Sequence, residues 1–154
     1  MPVTVSEKTD LRSILENSIS LFKDSTDTEF SFDCPLQEAF VYADKEQMLR
    51  VCNNLLKNAM QAIPENVQGK IEVSLTKNQD SFLIKIKDNG SGIGEDEMNK
   101  IFTPNFTTKT GGMGLGLAMV KNIVETFNGK IWFETARERG TIFFVSLLEY
   151  KNIY

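Results

Sequence analysis

The chain has 154 residues, 41% of them hydrophobic and 25% charged, the proportions of one ordinary globular domain. That excludes wholesale disorder and collagen-like or low-complexity architectures; a domain of this length buries roughly two-thirds of its unfolded surface. Lys and Arg number 17 and Asp and Glu 21, a net charge of −4, so nucleic acid is not expected as the main partner.

Histidine is absent. No Ser-His-Asp triad, Cys-His pair or His-ligated zinc site can be assembled from this chain alone. Cys34 and Cys52 form no CxxC and no metal-ligand spacing, and read as buried thiols in a reducing compartment. No apolar run approaches the ~18 residues of a membrane span. The N-terminus lacks a basic segment followed by an apolar one, so no signal peptide is expected and the chain reads as cytoplasmic.

In chain order, Pro2–Val5 alternates and is expected as an edge strand. Thr9 or Asp10 then caps a helix whose stripe is Leu11, Ile14, Leu15, Ser18, Leu21 and Phe22. Two short strands follow, Glu29–Asp33 and Ala39–Tyr42. Asp44 caps a long helix to about Ile63, with Met48, Val51, Cys52, Leu55, Leu56, Ala59 and Ile63 on its apolar face and Pro64 beyond it. Lys70–Lys77 and Ser81–Lys87 alternate around an Asn78-Gln79-Asp80 turn and predict a hairpin. Asp88 to Met113 is irregular and rich in Gly, Thr and Asn, with a short helical piece at Glu95–Phe102. A helix over Gly114–Phe127 ends at Asn128-Gly129, and two strands, Lys130–Thr135 and Thr141–Leu148, close the chain. This is an α+β order, with a mixed sheet and helices on one face. The Asp88–Met113 segment is too long for a connector and is expected to bind a ligand.

Three clusters carry candidate chemistry. Asn54 and Asn58 lie four apart on the long helix, so their amides share a face and two oxygens can reach one hard cation such as Mg²⁺. Asp88-Asn89-Gly90-Ser91-Gly92-Ile93-Gly94 follows a strand; its carboxylate can accept from an amino group such as that of adenine, and its glycines let the backbone turn tightly. Thr107-Thr108-Lys109 and the glycines to Gly116 lead into a helix N-terminus, where free N–H groups favour an anion. This is neither a Walker A nor a Rossmann fingerprint, because the lysine precedes the glycines and no strand leads directly in. Phe102, Pro104 and Phe106 lie between the last two clusters. Taken singly, each has an ordinary reading: solvated helix asparagines, a turn after a strand, a glycine hinge, core phenylalanines.

Together and in this order, they resemble the ATP-binding catalytic domain of sensor histidine kinases, in the GHKL superfamily. Asn54-Leu55-Leu56-Lys57-Asn58-Ala59 resembles the N box and Asp88-Asn89-Gly90-Ser91-Gly92-Ile93 the first glycine box. Ile101 to Lys109 resembles the F box, Gly112-Met113-Gly114-Leu115-Gly116-Leu117 the second glycine box, and Gly140-Thr141-Ile142-Phe143 the late strand. The resemblance implies a Bergerat-type α/β sandwich, with a mixed sheet of about five strands and three helices on one face, forming one domain over residues 1–154. It implies that Asn54 and Asn58 hold Mg²⁺, and that Asp88 binds the adenine amine with water-mediated support from Thr141. Gly90 and Gly92 would let the backbone approach the base, which Ile93, Phe102 and Leu117 would wall. Thr108, Lys109 and the N–H groups of Gly112, Gly114, Leu115 and Gly116 would meet the phosphates.

The expected activity follows from position 54. Hydrolysing relatives carry a Glu there as general base; an Asn cannot take that proton. The expectation is therefore a kinase that binds Mg-ATP and passes the γ-phosphoryl group to a histidine, which must lie on a separate dimerisation domain because this chain has none. A parent sensor kinase, sometimes membrane-anchored, and a response regulator are the implied partners. One departure is Gln61, where many members carry Lys or Arg three residues after the second Asn. The alternatives are an anti-sigma-type serine kinase, a GHKL ATPase and a nucleotide-gated binding module.

Overall fold

The computed structural model describes residues 4–104 and 116–151. Its elements are β1 (Glu7–Asp10), α1 (Leu11–Lys23), β2 (Glu29–Asp33), β3 (Phe40–Ala43), α2 (Lys45–Gln61), β4 (Lys70–Asn78), β5 (Ser81–Asp88), α3 (Gly116–Thr126), β6 (Lys130–Ala136) and β7 (Gly140–Leu148). Five strands form a mixed sheet in the order β2-β4-β5-β7-β6, parallel only between β2 and β4; β1 and β3 form a separate antiparallel pair.

The register sorts the sheet into two faces. Val73, Ile86, Phe143 and Phe133 are successive cross-strand partners, as are Leu75, Ile84, Val145 and Ile131. These rows are buried or half-buried against the helices. The alternate rows carry Ser74, Lys85 and Glu72, Lys87. On that open face Trp132 stacks on Phe144 at 5.2 Å, and Lys87 pairs with Glu72 at 3.8 Å. Asp88 ends the helix-facing row Phe82, Ile84, Ile86, so strand alternation alone turns its carboxylate toward the helices.

The helices are amphipathic and capped as their ends require. Asp10 accepts the Arg12 N–H, and Asp44 accepts those of Glu46 and Gln47, contacts that contribute about 1 kcal/mol each. Leu11, Ile14 and Leu15 on α1, and Met48, Leu55 and Leu56 on α2, are essentially fully buried. Each such side chain contributes roughly 1.5–3 kcal/mol. α3 ends with Asn128 in the left-handed region (φ 63°), while Gly129 N–H bonds Val124 O at 2.9 Å and Asn128 N–H bonds Glu125 O at 3.0 Å. It is thus the Asn of the Asn-Gly pair that takes the left-handed position.

Four expectations need correction. The first strand is Glu7–Asp10, because its partner β3 lies opposite those residues; Val5 is 60% exposed and outside any strand. On α1 the stripe takes Ile19 rather than Leu21, which is 60% exposed. The two flank the stripe on opposite sides, roughly 160° apart around a helix of 3.6 residues per turn, and the core covers one side only. Residues 95–102 form successive turns rather than a helix, with Glu97 on Gly94, Lys100 on Glu97 and Thr103 on Lys100. Lastly, Cys34 is half-buried, whereas Cys52 is buried in apolar surroundings that push its thiol up to about 12; both are free thiols. Among the described residues no helix is long and apolar enough to cross a membrane.

Candidate functional site

Asp88 is 1% exposed, so its carboxylate needs donors. Oδ1 accepts the Gly90 N–H at 2.9 Å and the Thr141 N–H at 3.3 Å, one from its own loop and one from the neighbouring strand. The loop after Asp88 lies against two elements. Ser91 N–H caps α2 by bonding Ala62 O at 3.1 Å, and a Cβ on Gly90 would stand 2.4 Å from that oxygen. On its other side the loop meets the β6–β7 hairpin, where Glu138 N–H bonds Ser91 O at 2.8 Å and Ile93 N–H bonds Thr135 Oγ1 at 2.9 Å. Gly92 (φ 80°) and Gly140 (φ 100°) both take the left-handed backbone, and a Cβ on Gly140 would lie 2.0 Å from Asp88 O.

Phe102 lies half-buried beside this end. Its ring is 6.1 Å from Phe133 and 6.4 Å, edge-on, from Phe143, with Lys121 Nζ of α3 5.5 Å above it. Ile93 and Leu117 pack half-buried against the core.

The second half of the site lies between α2 and α3. Asn54 donates its Nδ2 to Arg50 O at 2.8 Å, one helical turn back. Its Oδ1 lies 3.2 Å from where a Cβ on Gly116 would stand, so it faces the first residue of α3 at a place kept open by glycine. Asn58 sits one turn further along α2 and is half-buried. Among the described residues no cluster of three or more His, Cys, Asp or Glu exists. A metal here would therefore have amide oxygens, waters and ligand oxygens as donors. That set fits Mg²⁺, which keeps several waters and binds through substrate phosphates.

The structure thus gathers Asp88, Gly90, Gly92, Ile93, Phe102 and Thr141 at the ends of β5 and β7, and sets Asn54 beside Gly116. Thr108, Lys109, Gly112, Gly114 and Leu115 lie outside the described residues. Gln61 is exposed at the last position of α2. Two side chains had no expected role. Asn89 clamps the start of β4, accepting Lys70 N–H at 2.8 Å and donating to Gln68 O at 2.9 Å. Thr135 accepts the Ile93 N–H. The sequence signal for Thr135 was its register opposite Thr141 across a polar turn.

Two cavities, of about 390 and 570 Å³, lie elsewhere. The smaller is lined by Lys8, Glu38, Phe40, Phe82, Glu149 and Tyr150, at the opposite end of β5 from Asp88. Neither is lined by a residue of the site.

Residues 43–151 match the family described as histidine kinase-, DNA gyrase B- and HSP90-like ATPases. Sensor histidine kinase ZraS of Escherichia coli is 35% identical over 139 residues, covering 87% of this chain and 29% of the relative, so the chain spans under a third of that protein. Among solved structures, the catalytic domain of histidine kinase ThkA superposes with a TM-score of 0.84 at 32% identity, covering 94% of this chain and 96% of that one. ThkA in complex with response regulator protein TrrA gives 0.81 at 29% identity, covering 96% and 43%. The chain belongs to the family of histidine kinase-, DNA gyrase B- and HSP90-like ATPases, and within it is an ATP-binding catalytic domain of the sensor histidine kinase kind.

Proposed function

We propose that residues 1–154 form one catalytic domain that binds Mg-ATP between α2, α3 and the β5–β7 strand ends and donates the γ-phosphoryl group to a histidine on a separate phosphoacceptor domain. The observation that carries this reading is Asp88: a buried carboxylate held by the N–H groups of Gly90 and Thr141, at the end of the sheet where α2 brings Asn54. Asp88 accepts the adenine amine; Gly90 and Gly92 let the chain pass close to the base; Thr141 orients Asp88; Ile93, Phe102 and Leu117 exclude water from the ring. Asn54 and Asn58 would hold Mg²⁺, which when bound supplies charge neutralisation at the phosphates. Thr108, Lys109 and the N–H groups of Gly112, Gly114, Leu115 and Gly116 are the proposed phosphate contacts.

Phosphoryl transfer asks the protein mainly for positioning and charge neutralisation. Asn54, unlike a carboxylate, cannot activate water at neutral pH, which favours transfer over hydrolysis. The absence of histidine requires the acceptor to come from elsewhere. We infer a dimerisation domain of a parent sensor kinase as donor of that histidine and a response regulator downstream, supported by the ThkA–TrrA complex. A cytoplasmic setting agrees with two free thiols.

The test is calorimetric titration with non-hydrolysable ATP, with and without Mg²⁺, against a GTP analogue, followed by transfer from labelled ATP to a separately supplied histidine-bearing helical domain. We expect Mg²⁺-dependent binding of the adenine nucleotide alone, and label on the added domain. Asp88→Asn should weaken binding roughly ten- to hundredfold, the worth of a hydrogen bond to a charged group. Wild-type affinity in that variant would remove the adenine assignment. Steady ATP hydrolysis by the chain alone would remove the argument from Asn54.

A further inference from the structure

One side chain joins the loop after β5 to the β6–β7 hairpin at the adenine end. Thr135 faces Thr141 across the β6–β7 ladder, their hydroxyls 2.9 Å apart. Its Oγ1 accepts the Ile93 N–H at 2.9 Å, from a loop 42 residues away in sequence, and donates to Gly140 O at 3.2 Å. Thr141 in turn gives its N–H to Asp88 Oδ1 at 3.3 Å. A hydroxyl has one proton and two lone pairs. The Ile93 N–H fills one lone pair; the proton and the other lone pair serve Gly140 O and Thr141 Oγ1. Thr135 is therefore fully engaged within the protein, and whatever it contributes to binding passes through Ile93 and Thr141.

We propose that Thr135 is a positioning residue for the base. Its hydroxyl holds the Ile93 amide in one register against the β6–β7 hairpin, and so sets both the affinity for an adenine nucleotide and the preference over guanine. The proposal rests on Asp88 as the adenine contact. Guanine places a carbonyl oxygen where adenine places its amine, so a carboxylate repels it only while the base is kept in one register. Without the hydroxyl, Ile93 N–H loses its acceptor and the wall it carries is released. The backbone tie of Glu138 N–H to Ser91 O at 2.8 Å remains, so the loop stays attached to the hairpin while Ile93 is freed.

The experiment compares Thr135→Val, which keeps the shape and deletes the hydroxyl, with Thr135→Ser, which keeps the hydroxyl. The β,γ-imido analogues of ATP and GTP are titrated with Mg²⁺, and amide exchange is followed at Ile93. We expect Thr135→Val to bind the ATP analogue about tenfold more weakly, as for loss of one half-buried hydrogen bond. It should also narrow the ATP-to-GTP ratio and speed exchange at Ile93, while Thr135→Ser behaves as wild type in all three. Equal impairment of both variants would reveal a packing role and overturn the proposal. Wild-type affinity and selectivity in Thr135→Val would overturn it too. Asp88→Asn separates the two layers: weak binding there with wild-type binding in Thr135→Val removes the role of Thr135 alone, and wild-type binding in both removes the site and this role with it. One reading needs no variant. In the wild-type chain Ile93 must be protected before nucleotide is added, and protection that arises only on binding would overturn the pre-set register.

Discussion

The two ends of the proposed nucleotide site are built differently. At the adenine end, hydrogen bonds cross between segments distant in sequence: Thr141 to Asp88, Ile93 to Thr135, Glu138 to Ser91 and Ser91 to Ala62. At the metal end, the Asn54 amide is held by its own helix through Arg50 O, and its approach to α3 is a gap kept by Gly116. One end is a lock between loop, hairpin and helix terminus. The other is a helix face whose spacing is local, set by the helical repeat alone. The lesson is that the end proposed for the base is tied together by tertiary hydrogen bonds, whereas the proposed cation end offers two amides of one helix, and a Mg²⁺ there would rely on oxygens that the nucleotide brings.

The hardest way to break this comparison is Gly140→Ala. A Cβ there would stand 2.0 Å from Asp88 O, at a φ of 100° that L residues rarely adopt. Left-handed strain alone costs about 1–3 kcal/mol, and the clash adds to it. We expect a clear loss in urea unfolding together with loss of adenine binding, since the clashing carbonyl belongs to the residue whose carboxylate is the proposed adenine contact. A stable variant that still binds would show that the lock is dispensable.

Asn58→Ala sharpens the contrast from the other side. It should remove most of the Mg²⁺-dependent part of ATP-analogue binding and of phosphoryl transfer, while magnesium-free affinity and Tm stay close to wild type. Calorimetry with and without Mg²⁺ reads this directly. Equal losses in both conditions would mean that the two ends are not separable.

The smallest effect lies outside both ends, at the start of α2. Asp44 accepts Val5 N–H at 2.7 Å through Oδ2 and the Glu46 and Gln47 N–H groups through Oδ1. The Val5 amide first, and then the two helix amides and Arg50, hold its carboxyl below the ordinary 3.8. A carboxyl made more acidic on folding stabilises the native state above its unfolded value, and this contribution is lost as pH falls through the lower folded value. Asp44→Ala should cost about 1 kcal/mol near neutrality, a Tm fall of roughly 2–4 °C. The gap from wild type should close below pH 3.8. Thermal melts across that range check it, and a gap that widens toward acid would contradict it. Neither end of the site should lose affinity.

Backbone periodicity alone oriented those candidate residues whose geometry lies within one element. Asn54 and Asn58 share a face because a helix repeats every 3.6 residues, and Asp88 faces inward because a strand repeats every two. Leu21 shows the limit of the same logic: periodicity located the stripe, and only the packed neighbours decided which of its two borders is buried.

What the sequence by itself determined is therefore the order of the three helices and of the five strands of the main sheet, the cap at Asp44, the β4–β5 hairpin and the chemistry offered at Asn54, Asn58 and Asp88, while the cap of α1 was narrowed only to Thr9 or Asp10. Tertiary structure decided which ends meet. The pairing of β1 with β3, the clamp of Asn89 on Lys70 and Gln68, and the bond from Ile93 to Thr135 join residues far apart along the chain. A residue's own element dictates its face through backbone geometry. Its partner across a loop depends on where the whole core places the ends of β5, β6 and β7, and no local period encodes that.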